Sequence, residues 1–567
     1  MRMKRNILHI FWSALLLTAC TQKELPQPGT SDATPLAITI TDGGYVPQAS
    51  TDGLQKAVTR AAENGYRTEF TAGDACGLYV VRNGEIVYDN VKLTASTGTD
   101  GSIFWQPEAG VIPTGLQMGE RYYLYYPYQE EMAGKPDPSA PDDAYFFASL
   151  ISSWEPEADQ SNYAEGYTAS DLMTGMGTAV KAEDKLLLSF VMTHRMALAV
   201  IELPKTIYHF TNITDGGNIP DYVHAPFVDF YSVSNAKPFR TKDGNYIYIV
   251  RPGQSDAELI TGRYDKDDKG MKEFNFITNE ILAGSYKSYK INGAPIVEKE
   301  HNLQIGDVLL ADGYLAGKDE TLTPEQQASV AAIVFWTPAE TTPDGRQTPA
   351  NLSDDKIMSA EHPYCTHGLA VAVKDVTYKN SETIVWQSSD SQEQIKLWQE
   401  GPDFTHARKN RFVSIGSGYD ATDNINRIYG YQNTVVLRAY NAYCTDNGKD
   451  SYIVSPVAAL DEFAMNKPAP AGSTGWFIPS GKELHMLCYK DVDNICYAFD
   501  SSYTDTRDTV NASLSAVGGD SLGSAYYWSS SEYRDNRTNA FLVDFLSAYV
   551  PGNNKRLSLR VRAVCAF

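Results

Sequence analysis

Three stretches of this 567-residue chain place reactive residue types at spacings that can do chemistry. Gly519-Asp520-Ser521-Leu522-Gly523 has the spacing of a nucleophile elbow and also reads as an esterase-like run. An elbow needs a strand before it, a helix after it and a histidine later in the chain to take the serine proton. No histidine follows His485, and the run precedes a strand-like stretch at 526–529. A surface turn is the simpler reading, and no catalytic residue is assigned. His362, Cys365 and His367 are close enough to share a metal, but a fourth ligand is not evident nearby. Asp265, Asp267, Asp268 and Gly270 open like a calcium loop, yet Phe276 stands where the twelfth position needs a carboxylate. No phosphate-binding loop or zinc-protease helix is present. His194 lies in an apolar strand and reads as a core or edge histidine. These residues point to no enzyme, no metal and no cofactor.

What is left for recognition is aromatic. Trp386, Trp398, Tyr431 and Tyr533 fall in loop-like stretches, where flat rings can stack on sugars or fill protein pockets. They are the candidate ligand-binding residues. Of the cysteines after Cys20, Cys488 and Cys496 are the nearest pair and the first candidates for a disulfide, although spacing alone does not fix a connectivity.

The amino terminus sets the compartment. Arg2, Lys4 and Arg5 precede an apolar run from Ile7 to Leu17, which is too short to span a bilayer. Leu17-Thr18-Ala19-Cys20 then resembles a bacterial lipoprotein signal, which implies a signal peptide at 1–19 and lipid on Cys20. More than one acyl chain is needed for lasting attachment. Residues 20–55 are rich in Pro, Gly, Ser, Thr and Asp and read as a tether. The net charge of −22 disfavours nucleic acid as a general partner.

The elements that would position any site are mostly strands. Asn83-Gly84 is a hairpin turn, 186–190 and 246–250 are strand-like, and no long stretch before residue 300 has helical period. The fold class is therefore mainly β, with sandwiches at 56–205 and 206–300. From 303 the pattern changes to mixed α+β. Ser480 and Glu483 mark a helix start, and Trp528 and Tyr533 bracket an expected turn at Ser529–Ser531. Leu557, Leu559 and Val561 alternate with Ser558, Arg560 and Arg562, as a half-buried closing strand would.

Ordered landmarks carry two resemblances. Thr59-Arg60-Ala61, Phe70-Thr71-Ala72-Gly73-Asp74, Asp171-Leu172-Met173, His194-Arg195-Met196-Ala197 and Ala283-Gly284 are similar to fimbrillin-like pilus subunits over about 50–297. Ile478-Pro479-Ser480, Trp528 to Tyr533 and the closing Arg560-Val561-Arg562 resemble the C-type-lectin-like module of bacterial surface lipoproteins over about 303–567. The first resemblance implies two tandem β-sandwich subdomains and passage to the outer membrane as a lipoprotein. It also implies cleavage near Arg60 and pairing with other pilus subunits by β-strand addition. The second implies a binding head for a glycan or protein ligand. It does not imply calcium-dependent sugar binding, because the Glu-Pro-Asn and Trp-Asn-Asp signatures are missing. The expected function is a non-enzymatic surface adhesin at a pilus tip. The alternative is a monomeric glycan-capturing lipoprotein.

Overall fold

The computed structural model describes residues 36–567 except 49–65, 99–101, 109–114, 133–134, 183–184, 215–216, 254–257, 266–269, 279–280, 341–349, 389–393, 421 and 498–504. Cys20 and Arg60 lie outside the described residues. The chain divides into two compact units.

The first unit holds the described residues up to Thr41, with Phe70–Ala148 and Thr174–Met192. Its frame is a seven-stranded sheet in the order Leu36–Asp42, Lys185–His194, Met173–Ala182, Arg121–Tyr126, Ala75–Arg82, Glu85–Thr97 and Ile103–Pro107. Leu186, Leu188, Phe190 and Met192 are buried on alternate positions, as period two requires. Asn83 and Gly84 both have positive φ, at 52° and 83°, and join the antiparallel strands on either side. Tyr79 and Tyr123 are buried whole, because their hydroxyls donate to the carbonyls of Met132 at 2.7 Å and Ala140 at 3.1 Å.

The second unit holds Asp42–Glu69, Ser149–Met173 and Thr193–Phe567. A five-stranded sheet runs Phe239–Arg240, Tyr246–Val250, Ala197–Glu202, Ser285–Lys290, Val46–Pro47. A three-stranded sheet, Val228–Phe230, Leu259–Asp265 and Met271–Ile277, shares its apolar cluster through Ile260, Tyr264 and Phe274. A boundary at 205/206 would put Ala197–Glu202 in the first sandwich. It pairs instead with Tyr246–Val250 and Ser285–Lys290, since it is buried from Ala197 to Ile201 and needs a strand on each side.

Beyond residue 303 helices and sheets mix. Val308–Leu310, Leu315–Ala316, Val330–Trp336, Leu369–Ala372 and Val564–Ala566 form one sheet; Gly416–Ser417, Tyr526–Tyr533, Asn539–Asp544 and Gly552–Asn554 form another. The helix expected at Ser480 is Gly481–Cys488, closed by a Ser480/Glu483 capping box. The serines 529–531 do not turn. They lie inside the strand Tyr526–Tyr533, buried, with the Ser529 hydroxyl donating to the Phe541 carbonyl at 2.7 Å. The closing segment is two short strands rather than one. Ser558–Leu559 pairs with Ile384–Val385, and Val564–Ala566 pairs with Leu369–Val371. Arg562, expected on the wet side, is fully buried, because the Asp375 carboxylate meets it at 2.6 Å. Cys488 and Cys496 are free thiols in an apolar cluster, so the expected disulfide is not formed.

Candidate functional site

Two places in the fold are candidates for a functional role: the segment 36–48 and the strand Val564–Ala566. The strand Leu36–Asp42 is the edge strand of the first unit's sheet, beside Lys185–His194. Ile38 and Ile40 point inward, and the Thr41 hydroxyl donates to the Phe190 carbonyl at 3.2 Å.

In the second unit the same segment enters a buried polar cluster. The Asp171 carboxylate accepts from the Tyr45 hydroxyl at 2.7 Å and the Thr68 hydroxyl at 2.7 Å, and lies 2.8 Å from His194 Nδ1. On its other side His194 Nε2 is 2.8 Å from Asp42, close enough for an ion pair though not aligned as a hydrogen bond. Asp42 also accepts from the backbone N–H groups of Gly44 at 2.7 Å and Thr68 at 2.6 Å. Gly44 makes the turn with φ of +78°. The Tyr45 ring stacks on the imidazole at 3.7 Å. Burial favours neutral imidazole, but Asp171 and then Asp42 outweigh it and hold the His194 pKa up at about 9. Burial pushes Asp42 the other way, yet His194 and the two N–H groups leave its carboxyl below the usual range. Val46–Pro47 then adds in parallel to Ser285–Tyr286.

At the other end of the chain, Val564–Ala566 is held on both sides. Leu369–Val371 pairs along one edge, and Phe477 and Val564 exchange two backbone hydrogen bonds, at 2.9 and 3.0 Å, along the other. His367 N donates to the Phe567 carbonyl at 2.8 Å, and Ala566 N donates to the Thr474 hydroxyl at 3.0 Å. Gly368 is required here. A Cβ would sit 2.5 Å from the Trp336 carbonyl oxygen and 3.0 Å from the Phe567 ring. Gly368→Ala is expected to cost about 1–3 kcal/mol, as overpacking does, and to lower the urea midpoint without changing secondary structure by circular dichroism.

Comparison with known proteins adds the lineage. Residues 59–307 match the fimbrillin-like family model. The chain is 30% identical over 564 residues, 95% of each chain, to a Bacteroides ovatus (strain ATCC 8483) protein named "Putative fimbrium tip subunit Fim1C". The chain belongs to the fimbrillin-like family. It is also similar to the crystal structure of a fimbrial protein from Bacteroides ovatus ATCC 8483. That likeness has a TM-score of 0.53 and 27% identity, and it covers 94% of this chain and all of that one.

In this fimbrillin-like chain the residues singled out for chemistry do not converge. The run 519–523 follows the helix Asp505–Ala516 and precedes a strand, the reverse of an elbow. His362 Nε2 lies 3.0 Å from the Tyr431 hydroxyl, Cys365 Sγ donates to the Gly472 carbonyl, and His367 Nε2 donates to the Asp221 carbonyl. Among the described residues no cluster of three or more His, Cys, Asp or Glu is arranged to hold a metal. Burial pushes the Cys365 thiol up to about 12.

Two aromatic candidates are corrected. Trp386 is fully buried, with its N–H donating to the Ser529 carbonyl and Lys555 Nζ above its ring. Trp398 is buried against Phe404, Tyr440 and Tyr443. Tyr431 is half-buried, donating to Glu361 at 2.7 Å, and Tyr533 is half-buried against Tyr419 and Phe541. Sequence reasoning missed the Asp171–His194 pair. Its signal was present: both residues open a landmark that was read for family rather than for contact.

Proposed function

We propose that this chain is a non-enzymatic cell-surface adhesin at the tip of a pilus, which accepts a strand from a neighbouring subunit and presents residues 303–567 as a C-type-lectin-like head. The observation that carries this reading is the carboxyl end. A subunit that donates needs a terminal strand free to leave, and Val564–Ala566 is paired on both sides with its side chains buried. A strand held this way is not available to a neighbouring subunit. The acceptor side follows from chain order. A cut after Arg60 would free everything before it, including Leu36–Asp42, and expose the Lys185–His194 edge to an incoming strand. Lipid on Cys20 would hold the precursor in the outer membrane until that cut. The name of the Bacteroides ovatus relative agrees with a tip position.

The test is arginine-specific proteolysis of the displayed precursor, followed by immunogold labelling of assembled pili. The expected result is a new amino terminus at Ala61 and label at one end of each pilus. Arg60→Ala is expected to leave an uncut, unassembled lipoprotein. Label along the shaft would overturn the tip assignment.

A further inference from the structure

We propose that a cleft in the second unit, lined by Tyr222, Phe227, Arg240, Asp312, Tyr364 and His367, binds a neutral saccharide. The proposal rests on the adhesin reading and supplies it with a ligand site. None of the aromatic candidates read from sequence lies here.

The cavity has a volume of about 580 Å³, inside the range of small-ligand clefts. Two rings on its wall are open to solvent: Phe227 exposes 45% of its surface and Tyr364 exposes 55%. Large exposed rings in a concave site are the platforms on which the C–H face of a sugar stacks. The Arg240 guanidinium sits 4.0 Å from the centre of the Phe227 ring, so apolar surface and a hydrogen-bond donor are side by side. A pyranose, with an apolar face and a hydroxyl rim, matches that juxtaposition.

A second observation is independent of shape. The side chains of Asp221, Asp243 and Asp312 line the cleft and are 54%, 41% and 44% exposed. Each therefore presents carboxylate oxygens that can accept from the hydroxyl rim of a sugar.

Charge selects the class. The lining carries the carboxylates of Asp221, Asp243 and Asp312 against the cations of Arg240 and Lys242. Asp312 lies 3.5 Å from His224 Nε2, and Asp221 lies 3.1 Å from His209 Nδ1. Near-balance gives no attraction for a sulfated, sialylated or phosphorylated ligand. A hydroxyl can donate to a carboxylate and accept from a guanidinium, so a neutral polyol uses both.

The test applies the full chain to an array of neutral, sialylated and sulfated oligosaccharides, then titrates the strongest neutral oligosaccharide by calorimetry. Phe227→Ala and Tyr364→Ala are each expected to weaken binding about tenfold or more, with unchanged thermal unfolding because both rings are half exposed. Tyr364→Trp is expected to retain binding, and so is Tyr145→Phe, an exposed residue outside the cleft. Binding that survives both alanine variants, binding only of anionic glycans, or no glycan binding at all would overturn the cleft. Those outcomes leave the tip reading standing, because pilus-end labelling is scored separately and needs no sugar.

Discussion

Replacing Asp171 with alanine is expected to destabilise the second unit by about 3–5 kcal/mol, a large part of the roughly 5–15 kcal/mol that holds a domain folded. The carboxylate meets three partners at once, the Tyr45 and Thr68 hydroxyls and His194 Nδ1. Alanine leaves two buried hydroxyls unpaired and a buried imidazolium with only Asp42 beside it. The same cluster gives a pH signature. The folded-state pKa of His194 is raised to about 9, above that of an unfolded histidine near 6.5. Its contribution is therefore complete below about pH 6.5 and is lost as pH rises through about 9. Tyr45 and Tyr167 are held well above the usual phenol range by burial, and Asp42 below the usual carboxyl range, so neither kind of group titrates in that window. Urea unfolding at several pH values checks this. Wild type is expected to lose stability on the alkaline side, and Asp171→Asn is expected to lose less at neutral pH and to show a flatter alkaline slope. An identical slope in wild type and variant would show that His194 is not held as the cation.

What could be read from sequence was what neighbours in sequence decide. Asn83-Gly84 announces its own hairpin, because few other pairs accept two positive φ angles. Lys185–His194 announces its buried face by strict alternation. Ser480 and Glu483 announce a helix start because the two groups that close the capping box are three residues apart. What could not be read is what distant segments supply. Trp386 and Trp398 look like loop aromatics until the helix Gly430–Asp446 brings Tyr440 and Tyr443 onto Trp398, and Ser529 accepts from Trp386. That helix itself was hidden, since Gln432, Asn433 and Thr434 are among its buried residues and blur any apolar stripe. Arg562 looked exposed because its partner, Asp375, is 187 residues away. The cluster around His194 depends on Tyr45, 126 residues before Asp171. The saccharide cleft is drawn from six separate stretches between 220 and 567, and no local pattern marks it.

Deleting residues 563–567 is expected to abolish cooperative folding of the region beyond residue 303, and this outcome tests the tip assignment directly. Val564 and Phe567 are buried side chains worth roughly 1.5–3 kcal/mol each. The deletion also strips hydrogen-bond partners from the backbone of His367, Ala372, Thr474 and Phe477 and bares the Leu369–Val371 edge. Each buried donor left unpaired costs about 1–3 kcal/mol, so the loss approaches the whole stability of a domain. The measurement is limited proteolysis with near-ultraviolet circular dichroism on full-length and truncated chains. The truncated chain is expected to be digested from 303 onward, while the seven-stranded sheet of the first unit stays protected. If it keeps its near-ultraviolet signal and protease resistance, the closing strand is dispensable. It would then be free to pass into a neighbouring subunit, and a stalk position would become the better reading. A donor strand has to leave its own subunit without unfolding it. The seven buried groups that hold 563–567 in place, four backbone partners and the side chains of Val564, Cys565 and Phe567, are the physical reason this one is not expected to leave.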